Sequence, residues 1–182
     1  FSVPSLHAAM VHSMGGDRCT VEAIENLRRL LTGEDIRYSV AHSEFNRKGN
    51  AEGILVGGNL SLLYALSGSS SDIDTNGKIL FIEDLDEYLY HIDRMMMQLK
   101  RSGKLSGLKG LIVGGMSDMR DNAVPFGKTA EEIIEEAVRE YDYPVCMNFP
   151  AGHVQNNQPL MMGGEVSMIV EDSASISILH NQ

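Results

Sequence analysis

Apolar side chains recur at helical spacing in three stretches of the chain. One stretch covers residues 21–31 and follows Thr20, a residue type suited to capping a helix. A second covers residues 85–99, where the large apolar side chains recur at intervals of three and four residues. The third covers residues 129–138 and opens on a T-x-x-E capping box at Thr129. These patterns predict three amphipathic helices.

Short apolar runs between the predicted helices have the composition of strands. Residues 36–40 alternate apolar and polar side chains, which is typical of a half-buried strand. A turn is predicted at Gly15 and Gly16, and a loop at residues 67–77, which are rich in Ser, Asp and Gly. Further strands are predicted at residues 53–60, 79–82, 110–115 and 144–149, with a closing hairpin formed by E-V-S-M-I-V-E and A-S-I-S-I-L-H. Helices interleaved with about seven strands predict one α/β domain with a mixed sheet and an antiparallel end.

The composition limits the kinds of partner that the chain can have. A length of 182 residues with 43% apolar and 22% charged side chains is typical of one globular domain with a buried core. Acidic residues exceed basic residues by 25 − 15 = 10, which argues against a nucleic-acid partner. No apolar run approaches the roughly 20 residues of a membrane span. Cys19 and Cys146 lack C-x-x-C spacing and are predicted to be buried free thiols.

The motifs do not indicate a metal or nucleotide site. Histidines at positions 7, 12, 42, 91, 153 and 180 form no H-x-x-x-H or H-E-x-x-H pattern, so we expect no metal and no cofactor. The glycine pairs in V-G-G-N-L and V-G-G-M each follow a strand, but neither matches G-x-G-x-x-G or a Walker loop. We interpret them as positions where backbone segments approach closely.

Two acidic residues, Glu83 and Asp84, directly follow the apolar strand at residues 79–82. Acidic residues can stabilise the start of the next helix, and this interpretation fits Asp84 and Asp86. Glu83 has a candidate partner in His153, in the loop after a later strand, although a loop histidine alone is more often ordinary surface. Reactive side chains of α/β proteins gather at strand ends, and a carboxylate bound to imidazole is half of a catalytic triad. We therefore predict that Glu83 and His153 face one crevice.

Ser117, in G-G-M-S-D, follows a predicted strand in the way that some nucleophilic serines do. The full G-x-S-x-G motif is absent, and Asp121, Asn122 and Pro125 predict a loop where a helix would be expected. The sequence therefore disfavours Ser117 as a nucleophile. In one known triad order the serine precedes the acid and the histidine, so an upstream serine on a segment missing from this chain would complete the triad.

Three segments carry a family resemblance. They are residues 49–68, G-N-A-E-G-I-L-V-G-G-N-L-S-L-L-Y-A-L-S-G; residues 77–115, which contain F-I-E-D and I-D-R-M; and residues 143–153, Y-P-V-C-M-N-F-P-A-G-H. Together they resemble the C-terminal half of the serine peptidases called LD-carboxypeptidases, a family that also includes the microcin C immunity peptidases. The resemblance extends in order over nearly the whole chain.

The resemblance implies a catalytic site shared between two domains. It implies a Ser-Glu-His triad in which Glu83 matches the glutamate and His153 matches the histidine. The serine would lie in a G-x-S-D motif of an N-terminal domain, absent from this chain, and Ser117 would imitate that motif by chance. Residues 1–182 would be the C-terminal domain, of swivelling β/β/α architecture, and inactive alone.

The resemblance also implies a reaction and its setting. Members of the family hydrolyse the amide between diaminopimelate and the terminal D-alanine of murein tetrapeptides, in the cytoplasm, during peptidoglycan recycling. They need no metal and are often homodimers. A murein peptide is therefore the expected substrate, with no nucleic-acid or membrane partner.

One departure and two alternatives accompany this hypothesis. The H-G-P-M segment of the family reads H-A-A-M at residues 7–10, so the local backbone is expected to differ there. The first alternative is an immunity peptidase that cleaves an aminoacyl-nucleotide, but the chain has no Trp and residues 67–77 contain no aromatic side chain. The second is a non-catalytic binding or dimerisation module, which the matches at Glu83 and His153 disfavour.

Overall fold

The computed structural model describes residues 3–14 and 19–179, and within these ranges the chain forms nine strands and four α-helices. The turn predicted at Gly15 and Gly16 lies outside the described residues. The strands are β1 (Ser5–His7), β2 (Ile36–Val40), β3 (Gly49–Asn59), β4 (Ile79–Leu85), β5 (Gly110–Ser117), β6 (Val145–Cys146), β7 (Leu160–Met162), β8 (Glu165–Val170) and β9 (Ala174–Leu179). The helices are α1 (Val21–Leu31), α2 (Leu60–Leu66), α3 (Leu89–Arg101) and α4 (Ala130–Val138).

Seven of the strands form one mixed sheet in the order β2-β9-β8-β3-β4-β5-β6. Strands β3, β4, β5 and β6 run parallel to one another, while β8, β9 and β2 extend the sheet in antiparallel fashion. Strands β1 and β7 form a separate two-stranded sheet. The predicted α/β class is confirmed, and the predicted closing hairpin is β8 and β9.

Two hydrophobic cores lie on opposite faces of the parallel strands. Leu80 and Ile82 of β4 pack with α2, α3 and α4 in the first core. Ile79 and Phe81 of the same strand pack in the second core, with the antiparallel strands and Leu30 of α1. Successive side chains of a strand point to opposite faces, so this unbroken apolar run supplies both cores.

Capping side chains begin two of the predicted helices. The hydroxyl oxygen of Thr20 accepts a hydrogen bond from the N–H of Ala23 at 3.1 Å, which starts α1. At α4, Thr129 and Glu132 form the predicted capping box, in which each side chain accepts the backbone N–H of the other residue. These local signals are therefore confirmed by the structure.

Helix α2 is a fourth helix that the sequence pattern does not predict. It follows β3 without a loop, and the side-chain oxygen of Asn59 accepts the N–H of Leu62 at 3.2 Å to cap it. Seven residues make about two turns, which is too short for a clear helical periodicity.

Strand β6 is shorter than the strand predicted at residues 144–149. Asn148 adopts a positive φ of 59°, which is incompatible with an extended backbone at that position.

The prediction that Asp84 and Asp86 begin α3 is wrong. Strand β4 continues to Leu85, and α3 begins only at Leu89, with no acidic residue in its first turn. Pairing of Leu85 with Ser117 on β5 keeps this segment extended. Here the register between parallel strands outweighs the local preference of acidic residues for a helix start.

Candidate active site

The two carboxylates that follow the apolar run of β4 point to opposite sides of the sheet. Glu83 lies on the side of Phe81, whereas Asp84 lies on the helix side and binds the N-terminus of α2. Oδ2 of Asp84 accepts the N–H of Ser61 at 2.9 Å and its hydroxyl at 2.6 Å, and Oδ1 accepts the amide of Asn59 at 2.9 Å. Asp84 therefore stabilises the start of a helix that precedes it in the sequence.

Glu83 and His153 form a carboxylate–imidazole pair. Oε2 of Glu83 lies 2.7 Å from Nδ1 of His153 and also accepts the backbone N–H of His153 at 3.2 Å. The Glu83 side chain is 1% exposed, whereas the His153 side chain is 49% exposed. When Nδ1 donates to the carboxylate, Nε2 is the ring nitrogen left to exchange a proton with a substrate or nucleophile. The two residues predicted to share a crevice are thus in direct contact.

Side-chain amides hold the loop that carries His153. Oδ1 of Asn157 accepts the N–H of Gly152 at 2.9 Å. Oε1 of Gln158 accepts the side-chain amide of Asn26, on α1, at 2.8 Å. Both Asn26 and Gln158 are buried, so this hydrogen bond fastens the end of the loop to α1.

Glycines let this loop lie directly against the strands. A Cβ atom on Gly114 of β5 would lie 2.5 Å from the carbonyl oxygen of Ala151 and 2.8 Å from the ring of Phe81. Gly152 has a φ of +101°, and a Cβ atom there would lie 2.5 Å from Oε2 of Glu83. The interpretation of the V-G-G-M glycines as a close approach of backbone segments is therefore confirmed.

A cavity of about 440 Å³ opens beside the Glu83–His153 pair, and a second imidazole enters it from β1. Nε2 of His7 lies 3.9 Å from Oε1 of Glu83, and its ring meets the ring of Phe81 edge to face with centroids 5.1 Å apart. The sequence gives no signal for this contact, because β1 is a three-residue strand placed by its pairing with β7. The cavity lining comprises His7, Ala8, Ala9, Met10, Ser13, Leu85, Gly152, His153, Val154 and Asn157.

The electrostatic environment keeps Glu83 ionised. Burial by itself acts to raise the pKa of the Glu83 carboxyl group. The polar contacts of Glu83 with His7 and His153, and the positive charge of these two rings when protonated, outweigh burial and lower the pKa below its usual range. A carboxylate in this state is suited to orienting an imidazole and to stabilising its protonated form.

Ser117 lies near His153 without contacting its ring nitrogens. The Ser117 hydroxyl donates a hydrogen bond to the backbone carbonyl oxygen of His153 at 2.7 Å. The chain after Ser117 forms the predicted loop, and the next helix begins only at Ala130. This geometry gives the Ser117 hydroxyl no base to accept its proton, in agreement with the sequence argument.

The described residues contain neither a cluster suited to a metal ion nor a helix suited to a membrane. Within residues 3–14 and 19–179, no group of three or more His, Cys, Asp and Glu side chains is arranged to hold a metal ion. None of the helices in those ranges has the length and apolar character needed to cross a membrane. Cys19 and Cys146 are buried free thiols as predicted, and burial raises the pKa of Cys146 to about 12. His180 lies outside the described residues.

A family model described as the LD-carboxypeptidase C-terminal domain matches residues 52–168, a range that contains both Glu83 and His153. The chain belongs to the LD-carboxypeptidase family. The resemblance carried by the three sequence segments is therefore confirmed.

Individual members of the LD-carboxypeptidase family show how much of the chain is shared. A probable murein peptide carboxypeptidase of Bacillus subtilis is 38% identical over 132 residues, which cover 70% of this chain and 40% of that protein. The microcin C7 self-immunity protein MccF of Escherichia coli is 30% identical over 135 residues, which cover 74% of this chain and 38% of that protein. The crystal structure of a muramoyltetrapeptide carboxypeptidase from Oxalobacter formigenes matches with a TM-score of 0.87 and 26% identity, covering 97% of this chain and 61% of that one. The chain spans about half or less of the length of the curated relatives that it matches.

Proposed function

We propose that residues 1–182 are the C-terminal domain of a serine LD-carboxypeptidase that hydrolyses the diaminopimelate–D-alanine bond of murein tetrapeptides. The observation that carries this proposal is the contact between Glu83 and His153 beside an open cavity. The nucleophilic serine belongs to an N-terminal domain of the parent protein, and the cavity is where that serine and the peptide would meet His153. On this proposal the chain alone is inactive.

His153 serves first as general base and then as general acid. Its Nε2 takes the serine proton while the serine oxygen attacks the carbonyl carbon of diaminopimelate, and then gives that proton to the nitrogen of D-alanine as the amide bond breaks. Water next attacks the acyl-enzyme, and Nε2 passes a proton from this water to the serine oxygen. One turnover therefore consumes one water and releases D-alanine and the shortened peptide.

Glu83 holds His153 in the tautomer that this reaction needs. A hydrogen bond from Nδ1–H to Oε2 leaves the lone pair of Nε2 free to accept the serine proton. When the imidazole becomes positively charged, the nearby carboxylate stabilises it. The lowered pKa of Glu83 supports this role, because the carboxylate stays ionised near neutral pH.

The names of the relatives support the substrate class. The Bacillus subtilis relative is described as a probable murein peptide carboxypeptidase, and the Oxalobacter formigenes structure as a muramoyltetrapeptide carboxypeptidase. We extend that substrate to the parent of this chain, acting as a homodimer in the cytoplasm during peptidoglycan recycling. The likeness to MccF makes cleavage of an aminoacyl-nucleotide the alternative, although residues 67–77 contain no aromatic side chain to stack on a base.

The test is an assay of the full-length parent protein on murein tetrapeptide, with release of D-alanine as the readout. We expect turnover, and we expect His153→Ala and Glu83→Gln each to lower kcat on the order of 10³-fold or more. Ser117→Ala should lose less than about tenfold, because the nucleophile lies on another domain.

Other outcomes would contradict parts of the proposal. Unchanged turnover in His153→Ala or Glu83→Gln would refute the triad assignment. Turnover by residues 1–182 alone would refute the upstream serine. Cleavage of an aminoacyl-nucleotide in place of the tetrapeptide would favour the immunity reaction, and inactivity on both substrates would favour a binding module.

A further inference from the structure

We propose that His7 is a positioning residue that holds the Glu83 carboxylate between two imidazoles, so that Oε2 stays directed at His153. This role deepens the proposed function and rests on it. His153 occupies Oε2 of Glu83 at 2.7 Å, and His7 faces the other oxygen, Oε1, with its Nε2 at 3.9 Å. That distance is within ion-pair range but longer than a direct hydrogen bond, so His7 orients the carboxylate and takes no part in proton transfer.

The alternation of side chains along β4 explains how one ring can face Glu83. Phe81 and Glu83 are two residues apart and therefore lie on the same face of the strand. The His7 ring packs on Phe81 with its plane inclined at 72° and the centroids 5.1 Å apart. An aromatic ring fixed edge to face on Phe81 is thereby placed beside the next side chain on that face, which is Glu83.

The backbone that carries His7 is joined to the backbone that follows His153. Residue His7 on β1 pairs with Leu160 on β7, and β7 directly follows the loop that contains His153. Glu83 belongs to a different element, the parallel strand β4. The pairing of β1 with β7 thus brings two imidazoles from one structural unit onto one carboxylate of another.

The other ring nitrogen of His7 makes no compensating contact. Nδ1 of His7 is buried and has no hydrogen-bond partner within the described part of the chain. Leaving a buried nitrogen without a partner has a cost, and a histidine kept only for packing could be replaced by an apolar ring without that cost. The polar contact that His7 does make is with Glu83, which is why we assign its role to that carboxylate.

Two variants separate the polar role of His7 from its packing. His7→Phe keeps a ring on Phe81 and removes both nitrogens, whereas His7→Gln keeps an amide N–H that can reach Oε1.

The titratable side chains that contact Glu83 among the described residues are His7 and His153. Asp84, the next acid along β4, faces α2 on the opposite side of the sheet. His42→Gln is the control, because His42 is exposed and its Nδ1 contacts the carbonyl oxygen of Asp172.

The first measurement is made on residues 1–182 and needs no activity. Carbon-13 NMR follows the titration of the Glu83 carboxyl group, and nitrogen-15 NMR follows the tautomer of His153. We expect His7→Phe to raise the pKa of Glu83 and to reduce the share of the Nδ1–H tautomer of His153. His7→Gln should restore at least half of both effects, and His42→Gln should change neither.

The second measurement uses the full-length parent enzyme. His7→Phe should lower kcat about 10- to 100-fold with little change in KM, because Glu83 then orients the His153 imidazole less well. If His7→Phe leaves the Glu83 titration and the His153 tautomer as they are in the unaltered chain, or if His42→Gln has the same effect, the role assigned to His7 is wrong. Absence of D-alanine release by the unaltered parent would instead refute the proposed function, and the NMR result would stand.

Discussion

Oε2 of Glu83 binds His153 twice, through the ring Nδ1 at 2.7 Å and through the backbone N–H at 3.2 Å. The ring contact sets the rotation of the imidazole, and the backbone contact sets the position of the loop relative to the end of β4. One carboxylate oxygen therefore fixes both the histidine and the segment that carries it. Substitutions that displace this oxygen should affect the local structure and the proposed chemistry together.

Gly152, in the loop that carries His153, is expected to be hard to replace by any residue with a Cβ atom. Gly152→Ala combines a φ of +101° with a Cβ atom 2.5 Å from Oε2 of Glu83, so we expect a loss of about 3 kcal/mol or more in the free energy of unfolding. Gly33→Ala is the matched control, because Gly33 has a φ of +80° with nothing within 4 Å of a Cβ atom. Its cost should be only the backbone strain, about 1–2 kcal/mol. Urea unfolding measures the stability loss of both variants. Equal losses for Gly152→Ala and Gly33→Ala would show that contact with Glu83 is unimportant.

The lowered pKa of Glu83 predicts a specific pH dependence of stability. Its value in the folded chain lies below the ordinary 4.5, so its stabilising contribution is fully present above about pH 4.5 and is lost as the pH falls through the folded-state pKa. Glu83→Gln removes the ionisable carboxyl group and with it this pH-dependent contribution to stability. Between about pH 6 and pH 3, the difference in the free energy of unfolding between the unaltered chain and Glu83→Gln should therefore stay constant down to about pH 4.5 and narrow below it. Urea unfolding across that range is the measurement, and a difference independent of pH would contradict the prediction.

Local patterns in the sequence predict much of the fold because they arise from local physics. The alternation at residues 36–40 and the capping box at Thr129 depend on neighbours a few positions away, and both elements form where predicted. Helix α2 is missed because seven residues carry too little periodicity. The order of the strands in the sheet leaves no local signal at all, since it is set by packing between distant segments.

In the candidate site, too, the sequence predicts some contacts and misses others. The approach of Glu83 to His153 follows from strand-end reasoning and from the family resemblance, although the residues are 153 − 83 = 70 positions apart. The contact of Asp84 with Ser61 cannot be predicted from the sequence pattern, because Ser61 lies on α2, the helix that the pattern misses. The contact of His7 with Glu83 depends on the pairing of β1 with β7. The three residues of β1 are too few to carry a sequence pattern that predicts this pairing.

Asp84 is expected to matter for stability rather than for chemistry. Its buried carboxylate accepts hydrogen bonds from Asn59 and Ser61 and from its neighbour Leu85. Asp84→Asn places an amide N–H group among these donors and removes the negative charge that they surround, so we expect a loss of about 2–4 kcal/mol in the free energy of unfolding. The matched control is Asp86→Asn, which removes an exposed ion pair with Arg120 at a positive φ that asparagine tolerates. It should cost clearly less, and the reverse order in urea unfolding would overturn this assignment.

The buried amide pair between Asn26 and Gln158 should show strong energetic coupling. Nδ2 of Asn26 donates to Oε1 of Gln158 at 2.8 Å, so a leucine at either position leaves this buried donor or acceptor without its partner, at a cost of about 1–3 kcal/mol. The double leucine variant removes both groups and should cost less than the sum of the single variants by about 1 kcal/mol or more. Arg37 and Ser175 form a hydrogen bond at 2.7 Å that is exposed to solvent, so the coupling between alanine substitutions there should be smaller, below about 0.5 kcal/mol. Urea unfolding of the four variants in each cycle gives the coupling energy. Additive costs at Asn26 and Gln158 would mean that α1 does not hold the His153 loop through this bond.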